Sequence, residues 1–336
     1  MKILYAIQGT GNGHIARAEE IIPHLVAYGK VDIFVSGAQA DIQLPYPIKY
    51  RSKGLSFYFG KQGGIDFLKT FKNNNTRRVL REIRDFPVGD YDLVINDFEA
   101  ITAWACRRRG VPCIALSHQY ALLSKKVPHP KHSDPIGSWF LSNYAPTESG
   151  VGFHFKAWDK NTFTPVIREK IRTARVSDKG HYTVYLPAYS DEKILHLLRQ
   201  FPQIKWQVFS KHSARGSTHD NIRIYPVDNE VFIKSLLSST GVLCGAGFET
   251  PAEALFLNKK LLVVPMKSQY EQHFNAAGLK QLGVPVLKKI SDKHIDVLTH
   301  WIETSKKTGM AYDESAGPAL DRLFQIYETM RPSLVS

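Results

Sequence analysis

Two glycine turns and a few polar residues beside them are the parts of this chain able to do chemistry. Gly9-Thr10-Gly11-Asn12-Gly13-His14 follows the apolar run Ile3–Ile7. Such a turn, between a strand and a helix, brings backbone N–H groups close to a ligand. A histidine at its end, with an unperturbed pKa of about 6.5, suits a general base, though taken alone it reads first as a cap on the first helical turn. Asp97 follows the strand Leu93-Val94-Ile95 and precedes a helix in LVINDFEAITAWA. It reads either as a helix N-cap or as the carboxylate that fixes the tautomer of His14 while the other ring nitrogen takes a proton. The second turn is Gly245-Ala246-Gly247. Thr250-Pro251-Ala252-Glu253 after it reads as a capping box with proline at N1, and Ser268-Gln269-Tyr270-Glu271 reads as another. Glu253 and Glu271 therefore carry a capping reading beside any chemical one.

The elements that must position these residues alternate. Residues 2–7, 31–35, 92–95 and 111–116 read as strands. Helical spacing of apolar residues at Ile15, Ala18, Ile21, Ile22 and Leu25 predicts a helix to Tyr28, and a second is predicted over 99–109. The second half repeats the pattern. Strands are expected at 182–187, 205–209, 222–225, 241–244 and 261–265. Helices are expected at 191–201, 229–238, 251–257 and 269–282, with a final one over about 313–330. Strands alternating with helices argue for parallel α/β sheets. The charged segment 156–180 lacks an apolar period and joins the halves, so the expected domains are 1–164 with 313–336, and 165–312.

At 336 residues, two domains are the expectation. The composition, 43% hydrophobic and 22% charged, is globular. No apolar run reaches the roughly 18 residues of a membrane span, and Ile3–Ile7 is too short for a signal peptide core, so the expected location is cytoplasmic. Cys106, Cys113 and Cys244 have no metal-ligand spacing and read as free thiols. Lys and Arg exceed Asp and Glu by 44 to 31, a net charge of +13 that suits anionic partners. No nucleic-acid motif accompanies it, so no specific nucleic-acid partner is expected. His14 stands where the dinucleotide fingerprint wants its third glycine, which counts against a nicotinamide or flavin oxidoreductase.

Residues 241–277, GVLCGAGFETPAEALFLNKKLLVVPMKSQYEQHFNAA, resemble the nucleotide-sugar region of GT-B glycosyltransferases of the UDP-glycosyltransferase and MurG-like families. The shared pattern is Gly247, Thr250, Glu253, Val263-Val264-Pro265, Glu271-Gln272 and Asn275-Ala276. Gly13-His14 matches the family's first loop, and Asp97 matches the aspartate that partners its histidine. The resemblance implies two Rossmann-like domains facing across a cleft, with the C-terminal helix crossing back to the first. It implies an inverting, metal-independent transferase with no cofactor, moving a sugar from a nucleotide-sugar donor to an acceptor hydroxyl. His14 and Asp97 would be catalytic. Gly11, Asn12 and Gly13 would form the acceptor-side loop of the first domain. Gly245, Ala246, Gly247 and Thr250 would take the diphosphate, Glu253 the ribose, Glu271 and Gln272 the donor sugar, and backbone at Val227 the uracil edge. Where many relatives place a phosphate-contacting histidine this chain has Gly245. Lys211, His212 and Arg215 are candidates for that charge.

The acceptor is expected to be a small molecule or a lipid-linked saccharide of the cell envelope. Residues 54–84 interleave aromatics with Lys and Arg, as an element touching an anionic membrane would, or as an ordinary core with a solvated basic face. A UDP-N-acetylglucosamine 2-epimerase-like enzyme of the same fold and a non-catalytic nucleotide-sugar-binding protein are the alternatives.

Overall fold

The computed structural model describes residues 1–37, 44–55, 76–130, 135–267, 269–304 and 307–330. The chain divides into two compact units. The first comprises 1–127, 131–168 and 313–336, and the second 128–130 and 169–312.

The first unit is built on seven parallel strands: β1 (Lys2–Gln8), β2 (Lys30–Ser36), β3 (Tyr50–Ser52), β4 (Leu93–Asp97), β5 (Cys113–Ser117), β6 (Ser149–Phe153) and β7 (Thr162–Phe163). Their order is β3-β2-β1-β4-β5-β6-β7. β1 and β4 are buried along nearly their whole length, as central strands covered on both faces must be. The helices are α1 (Asn12–Leu25), α2 (Thr76–Asp85), α3 (Ala100–Arg109), the single turn α4 (His118–Ala121) and α5 (Pro135–Asn143). Sequence patterning ran α1 on to Tyr28. The α-helix stops at Leu25 and a 3-10 turn continues over Val26–Tyr28, where all three residues leave the buried face.

The second unit has six strands: β8 (His181–Tyr185), β9 (Lys205–Ser210), β10 (Ser217–His219), β11 (Ile222–Pro226), β12 (Gly241–Gly245) and β13 (Lys260–Val264). Their order is β10-β11-β9-β8-β12-β13, parallel except for the edge strand β10. Its helices are α6 (Glu169–Arg172), α7 (Asp191–Leu198), α8 (Asn229–Ser238), α9 (Glu249–Phe256), α10 (Tyr270–Gln281) and α11 (Ile295–Glu303). Trp206, Tyr182 and Trp301 are at the centre of its core.

The last helix, α12 (Ala316–Met330), belongs to the first unit and packs on α1, β5 and β6. Phe324 stacks on Tyr28 with ring centroids 3.9 Å apart, Tyr327 donates to the Asp92 carbonyl and Arg322 donates to Asn161 Oδ1. The joining segment expected over 156–180 starts later than its composition suggests. Gly152 and His154 donate to Asn161 and Phe163 carbonyls, so β7 closes the first sheet before the chain leaves it.

Candidate active site

In each sheet the chain reverses its direction of winding at one place, and there the ends of two neighbouring strands open a crevice for ligands. In the first sheet that place is between β1 and β4. β1 delivers the glycine turn and β4 delivers Asp97. Gly11 lies at φ 116°, a backbone conformation costly for any residue with a Cβ, and it serves as N-cap of α1 without a side-chain bond. His14 is therefore not the cap. Its Nδ1 lies 2.9 Å from Asp97 Oδ1, and its side chain is 12% exposed while Asp97 is fully buried.

Asp97 is not a cap either. The N-cap of α3 is Glu99, whose carboxylate accepts from the Ile101 and Thr102 backbone N–H groups at 2.8 and 2.7 Å. Asn96 braces the same turn, accepting from Glu99 N and donating to the Glu99 carbonyl. Between them Phe98 sits at φ 56°, a conformation a bulky residue adopts only when its surroundings impose it. The turn thus frees Asp97 from helix duty and turns it toward α1.

Sequence reasoning passed over two residues here. Arg17, one turn on from His14, donates through Nη2 to Asp97 Oδ1 at 2.8 Å and Oδ2 at 3.0 Å. It is buried, and its presence three residues from His14 on the same helical face was the available signal. Burial pushes the Asp97 carboxyl up, but the charge of Arg17 and then that of His14 outweigh it and hold the carboxyl below its ordinary range. Gln119, at the start of α4, brings Nε2 to 3.4 Å from His14 Nε2. No local pattern marks it, because it reaches the site from a strand two places away. A pocket of about 50 Å3, lined by Asn96, Phe98, Ser117, Gln119, Tyr120 and Leu141 among others, adjoins it.

In the second sheet the reversal lies between β8 and β12, and β12 runs into Gly245-Ala246-Gly247. A Cβ on Gly247 would meet nothing within 4 Å, and one on Gly245 only ordinary contacts, so this turn leaves open space where a side chain would stand. Asn275 ties the turn to α10 by donating to the Ala246 carbonyl at 3.0 Å. The capping box at Thr250 is not formed. α9 begins at Glu249 after Phe248, with no side-chain cap, so Thr250 and Pro251 lie inside its first turn, where proline's missing N–H costs nothing. Glu253 is 3% exposed. Glu271 is half-buried. Gln272 accepts from Met266 N and donates to Gln269 Oε1, which fixes the β13–α10 turn. The N-cap of α10 is Gln269, whose side chain accepts from Gln272 and caps no backbone N–H; Ser268 lies outside the described residues. Val227 follows β11 and is 36% exposed. Lys211, His212 and Arg215 are exposed in the loop after β9.

Among the described residues no three His, Cys, Asp or Glu side chains gather into a metal-binding group. The three cysteines are buried and unbridged. No helix of the described residues is long and apolar enough to cross a membrane.

Two Rossmann-like sheets, each with a glycine turn at its reversal point, define the glycosyltransferase architecture called GT-B, and solved structures agree. The chain superposes on Arabidopsis thaliana UGT89C1 complexed with UDP-L-rhamnose at a TM-score of 0.61, with 12% identity over 98% of both chains. Phytolacca americana UGT2, complexed with UDP-2fluoro-glucose and pterostilbene, gives 0.59 with 13% identity over 98% of this chain and 94% of that one. The glycotransferase of kitacinnamycin gives 0.57 with 13% identity over 98% and 95%. No curated protein sequence matches the chain. The model of glycosyl transferase family 1 matches residues 1–304. The chain belongs to that family and is a glycosyltransferase.

Proposed function

We propose that this glycosyltransferase moves a sugar from a uridine or thymidine diphosphate sugar to an acceptor hydroxyl with inversion. The 2.9 Å approach of His14 Nδ1 to buried Asp97 carries the reading. Asp97 accepts the Nδ1 proton, which leaves Nε2 as the base. The acceptor's O–H proton passes to Nε2 and the oxygen bonds to the anomeric carbon. The bond from that carbon to the diphosphate oxygen breaks, and the nucleoside diphosphate leaves with the electron pair. Gly11, Asn12 and Gly13 line the acceptor side, and the pocket by Gln119 offers a seat for the acceptor's apolar part.

In the second unit the backbone of Gly245, Ala246 and Gly247, with the uncapped start of α9 and the Thr250 hydroxyl, takes the developing charge of the diphosphate without a metal or cofactor. Glu253 accepts both ribose hydroxyls. Gln272 spends its amide on the β13–α10 turn, so the donor sugar falls chiefly to Glu271. Val227 presents backbone to the base. UGT89C1 and UGT2 were each solved with a UDP-sugar, which favours a uridine donor.

Thermal shift against UDP, dTDP, GDP, ADP and NAD tests the reading. A nucleotide at about 100 times its Kd stabilises by roughly 2.7 kcal/mol, so selective stabilisation by UDP or dTDP is expected. A response to NAD, or to none of them, refutes it. The finer acceptor reading, a lipid-linked saccharide at an anionic membrane, is supported by α2, where Arg77, Arg81 and Arg84 flank Leu80, which is 61% exposed. The aromatic part of that segment, 56–75, lies outside the described residues. Co-sedimentation with anionic liposomes at low salt is expected, and its absence removes this acceptor class.

A further inference from the structure

We infer that Arg17 is a positioning residue for the His14–Asp97 pair, fixing both the plane of the Asp97 carboxylate and the tautomer of the His14 ring. The inference rests on the proposed role of His14 as base. It follows from counting donors and acceptors. Arg17 Nη2 stands 2.8 and 3.0 Å from Asp97 Oδ1 and Oδ2, so one N–H is shared between the two oxygens and holds the carboxylate plane. The same Nη2 is 3.1 Å from His14 Nδ1.

Two assignments compete. In one, Nη2 donates to Nδ1, the ring carries its proton on Nε2, and His14 has no lone pair to offer a substrate. In the other, Nη2 bonds only the carboxylate. Nδ1–H then donates to Oδ1, and Nε2 keeps its lone pair. The 2.9 Å approach of Nδ1 to Asp97 Oδ1 decides between them. A carboxylate paired with Arg17 only accepts, so the first assignment sets two acceptors face to face, whereas the second lets Nδ1–H donate. Gln119 Nε2 lies 3.4 Å from Nε2 on the other side of the ring. The carboxylate held across Nη2 keeps Oδ1 between two donors, and the short Arg17–His14 approach is tolerated because of it.

Arg17 and His14 share α1, whereas Asp97 ends β4, so the same contacts also set how far the helix stands from the strand end. Among the described residues no second lysine or arginine pairs with Asp97. Tyr5 on β1 is a buried phenol that burial and the charge of Asp97 keep protonated. α4 contributes uncharged Gln119, and its neighbour His118 donates Nδ1–H to the Phe153 carbonyl. From the C-terminal segment, Glu314 and Asp321 meet His24 and Tyr28, at the far end of α1. When the acceptor arrives, its hydroxyl takes the place at Nε2 that the Gln119 amide holds.

The test reads the ring directly. Long-range nitrogen–proton NMR of protein labelled at histidine is expected to show His14 as the single Nδ1–H tautomer without any substrate. A wild-type Nε2–H tautomer overturns the inference. Arg17→Lys keeps the cation but loses the planar fork, and Arg17→Met loses both. The Nδ1–H fraction and kcat are expected to fall in the order wild type, R17K, R17M, with R17M down about 10²-fold in kcat and KM for the donor unchanged. Should R17M not fold, R17K against wild type decides, and an unchanged tautomer and kcat overturn the inference. If no transfer is found with any nucleotide sugar, the proposed function fails while the tautomer measurement still judges Arg17.

Discussion

At the scale of single residues, Asp97 has two dependants. His14→Ala is expected to lower turnover by about 10²–10⁴-fold with the fold intact, because the ring makes its bonds at the edge of the core. Asp97→Asn differs. It strands the buried Arg17 without a counter-charge, and losing one member of a buried pair costs about 3–5 kcal/mol. Chemical denaturation beside kinetics separates the two losses, and a D97N variant as stable as wild type contradicts the buried pair. The pH dependence has a definite sign. The folded carboxyl lies below its unfolded value of about 3.9. The stability it contributes is therefore full above that value and disappears as pH falls through the folded one. Wild type should lose stability below about pH 4 more steeply than D97N.

At the scale of elements, the turns matter more than the helices they start. Gly11→Ala meets no steric obstacle, since a Cβ there has nothing within 4 Å, yet φ 116° makes it strained. A loss of about 1–3 kcal/mol is expected, together with a drop in kcat as His14 moves, measured by urea unfolding and kinetics. Lys259 is the opposite case, a side chain holding a helix end. It donates to the carbonyls of Ser177, Leu237 and Ser239, two of which close α8. Burial first, then the charge of Lys307, pushes its ammonium down to about 8. The unfolded chain keeps this proton to higher pH, so the stability difference between wild type and Lys259→Met should grow from pH 8 toward 10.

The alternation of strands and helices was legible because each central strand is a short apolar run and each helix has its own period. His14 and Asp97 were legible as partners because both follow strands in the same pattern. The capping box at Thr250 misled. It describes a local competition for N–H groups, whereas the start of α9 is set by the turn that Asn275 anchors from another helix. Glu99 as a cap, Phe98 in a left-handed conformation and Gln119 at the ring were not legible, since each depends on neighbours distant in sequence.

At the scale of the whole molecule, the proposed function divides the work between the two units. Glu253→Ala is expected to abolish the thermal shift by UDP while leaving the His14 tautomer unchanged. His14→Ala is expected to keep that shift while losing turnover. A single variant abolishing both without unfolding would show that the division is wrong.

The order in which the chain is made adds a constraint of its own. α12 belongs to the first unit but is synthesised after all of the second. Until it emerges, the surfaces of α1, β5 and β6 that take Leu320, Leu323, Phe324 and Tyr327 stay bare. The second unit therefore has its full sequence on the ribosome before the first can close, and the first must wait with apolar surface exposed, the condition under which nascent chains aggregate or recruit chaperones. A chain stopped before residue 313 is expected to be retained by chaperones although both sheets are complete, and supplying residues 313–336 as a separate peptide should release it.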